Sequence, residues 1–158
     1  MSTLENRRIL RHLLRAPVYL YRWHLGRLLG HRFLLLTHIG RRTGIKRQTV
    51  LEVMEYRKET LEAIVMSGFG HNSDWLRNIE TNGSVELDIA SEHFAATFRL
   101  LSEEEARVVA GYEHRNRFMG PIFRWVLSRL LGWNYRGSDA DRRKLVTQLP
   151  LIAFRPRS

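Results

Sequence analysis

Residues Leu34 to Val53, reading LLLTHIGRRTGIKRQTVLEV, constrain the fold of this chain more than any other stretch. An apolar run ends in the turn Gly40-Arg41-Arg42-Thr43-Gly44, and a second run resumes over Lys46 to Val53. So short a polar connection suits an antiparallel hairpin, because parallel neighbours need a crossover. The turn also has chemistry. Arg41, Arg42, Lys46 and Arg47 place four cations within seven residues, with no acid among them. Glycine permits positive φ and close backbone approach. Exposed N–H groups in such a turn can face an anion, and the guanidinium fork matches phosphate or carboxylate. The pattern fits a site for a multiply charged anion; it also fits a solvated basic hairpin tip.

Other segments fill in around this hairpin. Helical spacing of Ile9, Leu10, Leu13 and Leu14, then of Val18, Tyr21, Leu25, Leu28 and Leu29, predicts a helix over 7–30 broken or kinked at Pro17 and stopped by Gly30. Strands are predicted over Phe33–His38, Thr49–Tyr56, Leu61–Ser67, Val85–Ala90, His93–Leu101 and Leu151–Phe154. A short helix capped by Asn72 or Ser73 carries Trp75, Leu76 and Ile79 and stops near Asn82-Gly83. Ser102 with Glu105 has the capping-box pattern, Pro121 and Gly132 suit the two ends of a helix, and Ser138 can cap a last one. Strands in hairpins with a few helices imply an α+β domain with a mainly β core, either a small antiparallel barrel or a sheet packed by helices. The expected organisation is one domain over 1–158, with residues 1–32 as a basic helical segment packed on the barrel.

Composition excludes several chemistries. There are no cysteines, which removes disulfides, thiolate metal sites, thiol nucleophiles and thiol-linked haem. Seven histidines show no H-x-x-x-H or H-E-x-x-H spacing, so no metal site is expected, and no G-x-S-x-G elbow occurs. A net charge of +10 points to anionic partners, although no recognised nucleic-acid-binding signature accompanies it. No apolar run is long enough to span a bilayer, and Arg7, Arg8, Arg11 and Arg15 interrupt any signal-peptide core. A cytoplasmic protein is therefore expected. Residues 1–32 hold seven arginines, one acid and the aromatics Tyr19, Tyr21 and Trp23, which leaves weak contact with an anionic membrane face open.

The basic turn resembles the phosphate-binding segment of the deazaflavin-dependent nitroreductase and quinone reductase family, whose members use coenzyme F420. Its pattern, T-x-x-G-R-[RK]-[ST]-G-x-x-R-x-T, is met by Thr37, Gly40, Arg41, Arg42, Thr43, Gly44, Arg47 and Thr49. A second element follows: an apolar strand, the loop Ser67-Gly68-Phe69-Gly70, then Trp75 and Asn78. Many members have a longer loop with His-Pro before the Trp; here His71-Asn72-Ser73-Asp74 stands instead, which suggests a distinct subgroup. The resemblance implies a split β-barrel like that of flavin-binding proteins, with N- and C-terminal helices. It implies an oxidoreductase passing hydride from reduced F420 to a quinone, nitroaromatic or enone. The coenzyme's phosphodiester and oligoglutamate tail need several fixed cations, and Arg47, just past the turn, can close over a phosphate with Thr43 and Thr49 offering hydroxyls.

Further roles follow from the same likeness. Ser67, Gly68, Phe69 and Gly70 can approach a flat ring, though a plain strand-to-helix connection also favours glycine. Trp75 can wall the pocket or anchor its helix in the core. Tyr112 lies where members place aromatics over the substrate, so Tyr112 and Ser67 are candidate proton donors; Tyr112, like Tyr135, also fits a purely structural place. Alternatives in other classes are an F420 carrier without turnover, a module bound to anionic membrane, and the same enzyme with FMN. A homodimer remains open.

Overall fold

A computed structural model describes residues 26–158. The helix expected over 7–30 therefore lies mostly outside the described residues. Its last turn, Gly26–Leu29, is present, and Gly30 ends it at φ +53°.

The strands are β1 (Phe33–Ile39), β2 (Lys46–Arg57), β3 (Glu62–Met66), β4 (Val85–Ile89), β5 (Glu92–Leu100) and β6 (Leu151–Pro156). They pair antiparallel in the order β1-β2-β3-β6-β5-β4, and β4 returns to β1 to close a barrel. Closure removes the exposed edges that an open sheet would present. Alternation decides what lies inside. Leu34, Leu36, Val53, Val65, Val85, Leu87, Ile89, Ile152 and Phe154 form one buried cluster. Helix α1 (Asp74–Asn82) adds Trp75, Leu76 and Ile79 to that cluster. A bulge between Val53 and Glu55 shifts the register so that Val53 and Tyr56 both join the inner cluster while Met54 joins the outer one.

A second cluster covers the outer side. Met54, Ile64, Leu151 and Ala153 of the barrel pack against α2 (Arg107–Arg115), α3 (Gly120–Leu131) and α4 (Asp139–Gln148) through Val108, Val109, Leu127, Leu145 and Val146. The helix ends largely follow the expected chemistry. Ser138 Oγ accepts the Asp141 N–H at 3.1 Å, a proline sits in the first turn of α3, and Gly132 ends that helix in the left-handed region at φ +75°.

Several expectations are corrected. β2 begins at Lys46 rather than Thr49, because Lys46, Arg47 and Gln48 pair with Ile39, His38 and Thr37; ladder bonds use backbone, so polar side chains do not stop a strand. Arg47 is thus on the strand itself. Neither Ser73 nor Ser102 caps with its side chain. Glu105 is drawn instead into an ionic cluster on the barrel wall. Arg57 bonds Glu62 at 2.8 Å and Glu55 at 2.7 Å, and Arg99 bonds Glu62 at 3.3 Å and Glu105 at 3.1 Å. Glu62 is only 5% exposed, so its charge is tolerated because two guanidinium groups meet it.

Candidate functional site

The turn between β1 and β2 is tightly built. Gly40 N–H bonds the Ile45 carbonyl at 2.9 Å, and the Gly40 carbonyl accepts Gly44 N–H at 2.8 Å. Gly44 takes φ +66°, which suits glycine. A Cβ on Gly40 would come within 2.7 Å of Thr43 Oγ1 and 3.0 Å of Arg47 Nε. The Arg47 guanidinium therefore lies over the turn, and a side chain at Gly40 would displace it.

The four cations divide. Arg41 is tied down: its N–H and Nη1 donate to Asn78 Oδ1 at 3.0 and 2.9 Å, and its Nη2 meets Asp74 at 3.1 Å. It fastens the turn to α1. Lys46 stands 3.8 Å from Glu86. Arg42 and Arg47 are exposed and have no acidic partner among the described residues. Thr43 is exposed as well, and its hydroxyl accepts Ile45 N–H at 3.4 Å.

Beneath the turn the polar groups form a directed chain. Both Arg41 donors face Asn78 Oδ1, so the Asn78 amide NH2 faces His38 Nδ1, at 3.1 Å. Nδ1 must then accept, and the ring proton sits on Nε2, which donates to Thr49 Oγ1 at 3.4 Å. Burial, then the positive charge of Arg47, holds the His38 pKa below its ordinary value, consistent with a neutral ring. Thr37 is buried on the opposite face of β1, where its hydroxyl accepts from Gln48 at 3.4 Å.

The second sequence element connects β3 to α1. Ser67 is fully buried, its hydroxyl 2.7 Å from the Gly70 carbonyl and 2.5 Å from Ser73 Oγ. Its polar capacity is used within the loop. Gly70 has φ +73°, and a Cβ there would meet the Gln148 carbonyl at 3.0 Å. Gly68 and Phe69 are exposed. Trp75 is 8% exposed and packs 6.4 Å from Phe154, so it anchors α1 in the barrel.

Tyr112 lies elsewhere, facing a cavity of about 260 Å³ between β2, α2 and α3. Arg32, Glu52, Asn116, Met119, Ile122 and Phe123 are among its walls. The Tyr112 hydroxyl donates to Glu52 at 2.9 Å, and its ring lies 5.3 Å from Phe123. Burial first, then the Glu52 charge, pushes its pKa well up, so the phenol stays protonated. Arg32 approaches Glu52 at 3.9 Å. Tyr135 is a brace instead: it donates to Glu113 at 2.9 Å, and Arg142 holds the same carboxylate at 2.7 Å. Glu52, Arg32 and Phe123 were not singled out from the sequence. The only local signal was an acid set between the apolar Leu51 and Val53.

Solved structures with this fold are distant relatives in sequence. A protein related to a general stress protein, of the pyridoxine-phosphate oxidase family from Clostridium acetobutylicum, is 7% identical over 87% of this chain and 84% of its own, with a TM-score of 0.50. A domain-swapped dimer is 16% identical over 88% of this chain and 99% of its own, also at 0.50. An F420-H2 dependent reductase is 16% identical over 80% of this chain and 96% of its own, at 0.47. No curated protein matches the sequence. The model of the F420H(2)-dependent quinone reductase family matches residues 14–117, which include the basic turn, the Ser67–Trp75 segment and Tyr112. The chain belongs to that family and is an F420H2-dependent oxidoreductase.

Proposed function

We propose that the chain passes hydride from reduced F420 to a flat organic acceptor held beside Tyr112, with a quinone first and nitroaromatics or activated enones as other members of the class. The observation that carries this reading is the ring-sized cavity whose walls pair apolar side chains with the Tyr112 phenol, the Glu52 and Glu113 carboxylates and the Arg32 guanidinium. The coenzyme, when bound, supplies the hydride.

The turn suits the coenzyme's anionic parts. Arg42 and Arg47 have no acid among the described residues to neutralise them, and Arg47 is already laid over Gly40. They would hold the phosphodiester and the oligoglutamate tail with Lys46 and Thr43, while Arg41 keeps the turn in shape through Asn78 and Asp74. Arg47 and Glu52 are five residues apart on β2, about 17 Å of extended strand, and this odd spacing ahead of the bulge puts their side chains on opposite faces, so the anion turn and the cavity are separate subsites.

A reduced acceptor needs a proton as well as hydride. Tyr112 is the candidate, not Ser67, whose hydroxyl is sealed in its loop. Tyr112 can donate to an acceptor oxygen while Glu52, its partner, returns a proton taken from solvent. The test is F420H2 oxidation with menadione in wild type and Tyr112→Phe. Turnover is expected to fall roughly a hundredfold at unchanged coenzyme affinity. Full turnover in Tyr112→Phe, or none in wild type with any acceptor of the class, contradicts the reading. Tighter binding of FMN than of F420 in a fluorescence titration contradicts the assignment of the turn.

A further inference from the structure

Helix α3 has two apolar faces. Phe123, Leu127 and Leu131 turn inward, and Leu127 is buried in the outer cluster. Ile122, Trp125, Val126 and Leu130 recur at helical spacing on the other face and are 56%, 66%, 39% and 49% exposed. Phe118 and Met119, just before the helix, are 86% and 53% exposed. A contiguous apolar surface of this kind marks an interaction site. It begins just past residue 117, where the family match ends.

Charge identifies what covers it. From His114 to Ser138 there is no acidic residue, while Arg115, Arg117, Arg124, Arg129 and Arg136 all fall in this stretch. A second copy would set one such surface against another, at a net charge of +10 each. Residues 1–25 are also basic, with five arginines and one acid. An anionic bilayer satisfies both properties together: the apolar face enters the acyl boundary, Trp125 suits the headgroup level, and the arginines meet phosphate.

We infer that α3 is an interfacial helix that seats the protein on an anionic bilayer through Phe118, Ile122, Trp125, Val126 and Leu130. The cavity beside Tyr112 adds a consequence. Met119, Ile122 and Val126 line that cavity and also belong to the exposed surface, so docking brings the cavity mouth to the lipid. A lipophilic acceptor then enters from the membrane. The docking surface stands independently of which acceptor is used.

The experiment is flotation of the full chain, without coenzyme or acceptor, on vesicles of phosphatidylcholine alone or mixed with phosphatidylglycerol. Wild type is expected to float with the mixed vesicles, less so as salt rises. Ile122→Glu combined with Trp125→Glu is expected to weaken binding at least roughly tenfold. Arg117→Gln with Arg129→Gln, which leaves the apolar face intact, is expected to weaken it roughly tenfold on mixed vesicles only. Both variants should melt with wild type, since the altered side chains face solvent. Three results overturn the inference: equal flotation of the Glu variant, loss of flotation only when Arg7, Arg8, Arg11 and Arg15 are changed to Gln, or a lipid-free dimer that the Glu variant makes monomeric.

Discussion

Two groups of arginines in this molecule look alike in sequence and differ in what they face. On the barrel wall, Arg57 and Arg99 meet Glu55, Glu62 and Glu105 at 2.7 to 3.3 Å. At the mouth of the β1–β2 turn, Arg42 and Arg47 meet no acid among the described residues. The first group is internally neutralised and holds the barrel wall to the segment after β5. The second carries charge that no acid among the described residues answers. Arg41 lies between the cases: it belongs to the basic run but is spent on Asp74 and Asn78. Basic residues in a turn thus become a binding site only after their protein partners are subtracted.

Breaking the neutralised group should do the most damage to the fold. Glu62→Ala leaves two guanidinium groups beside a buried void and should cost about 3 kcal/mol of stability. Urea denaturation reads this, and F420 affinity of the folded fraction should not change. A loss of affinity equal to that of the turn variants would mean that the two groups are not separate.

A smaller effect is expected where the turn is shaped rather than charged. Gly40→Ala puts a methyl 2.7 Å from Thr43 Oγ1 and 3.0 Å from Arg47 Nε. The crowding should cost about 1 kcal/mol in stability, and F420 binding should weaken because Arg47 is pushed aside. Unchanged affinity would show that the resting position of Arg47 does not matter.

The smallest effect concerns pH. His38 is held below its ordinary pKa, so the unfolded chain takes up its proton near pH 6.5 while the folded one resists until lower pH. Its contribution is therefore complete above pH 6.5 and is lost as pH falls through that value and on through the folded one. Protonation would also set an N–H against the Asn78 amide. Melting temperature below pH 6.5 should fall more steeply in wild type than in His38→Gln; parallel curves would show that the ring carries no such burden.

Much of the barrel could be read from periodicity. Val85, Leu87 and Ile89 alternate with Glu86 and Asp88 and do face inward, and Gly132 and Ser138 mark helix ends because their chemistry is local. What could not be read depends on residues far apart in the chain. Glu105 fitted a capping box, but Arg99 and Arg57 offered stronger partners once β5 and β2 were in place. Asn78 lies 37 residues beyond Arg41, and Tyr112 lies 60 beyond Glu52, so neither pair has a local signature. The sequence located the anion turn correctly as a turn, yet its four cations were indistinguishable until folding paired Arg41. Ser67 matched a family position, and only the loop geometry revealed that its hydroxyl turns inward.

The central claim is that the unpaired arginines of the turn, and not net charge, hold the coenzyme. Fluorescence titration of F420 against wild type, Arg42→Ala, Arg47→Ala and Arg157→Ala tests it directly. Each turn variant should lose about 1.5–3 kcal/mol, roughly tenfold or more in affinity, at an unchanged melting temperature, while Arg157→Ala binds as wild type does. Equal losses in Arg157→Ala, or wild-type affinity in both turn variants, would contradict it.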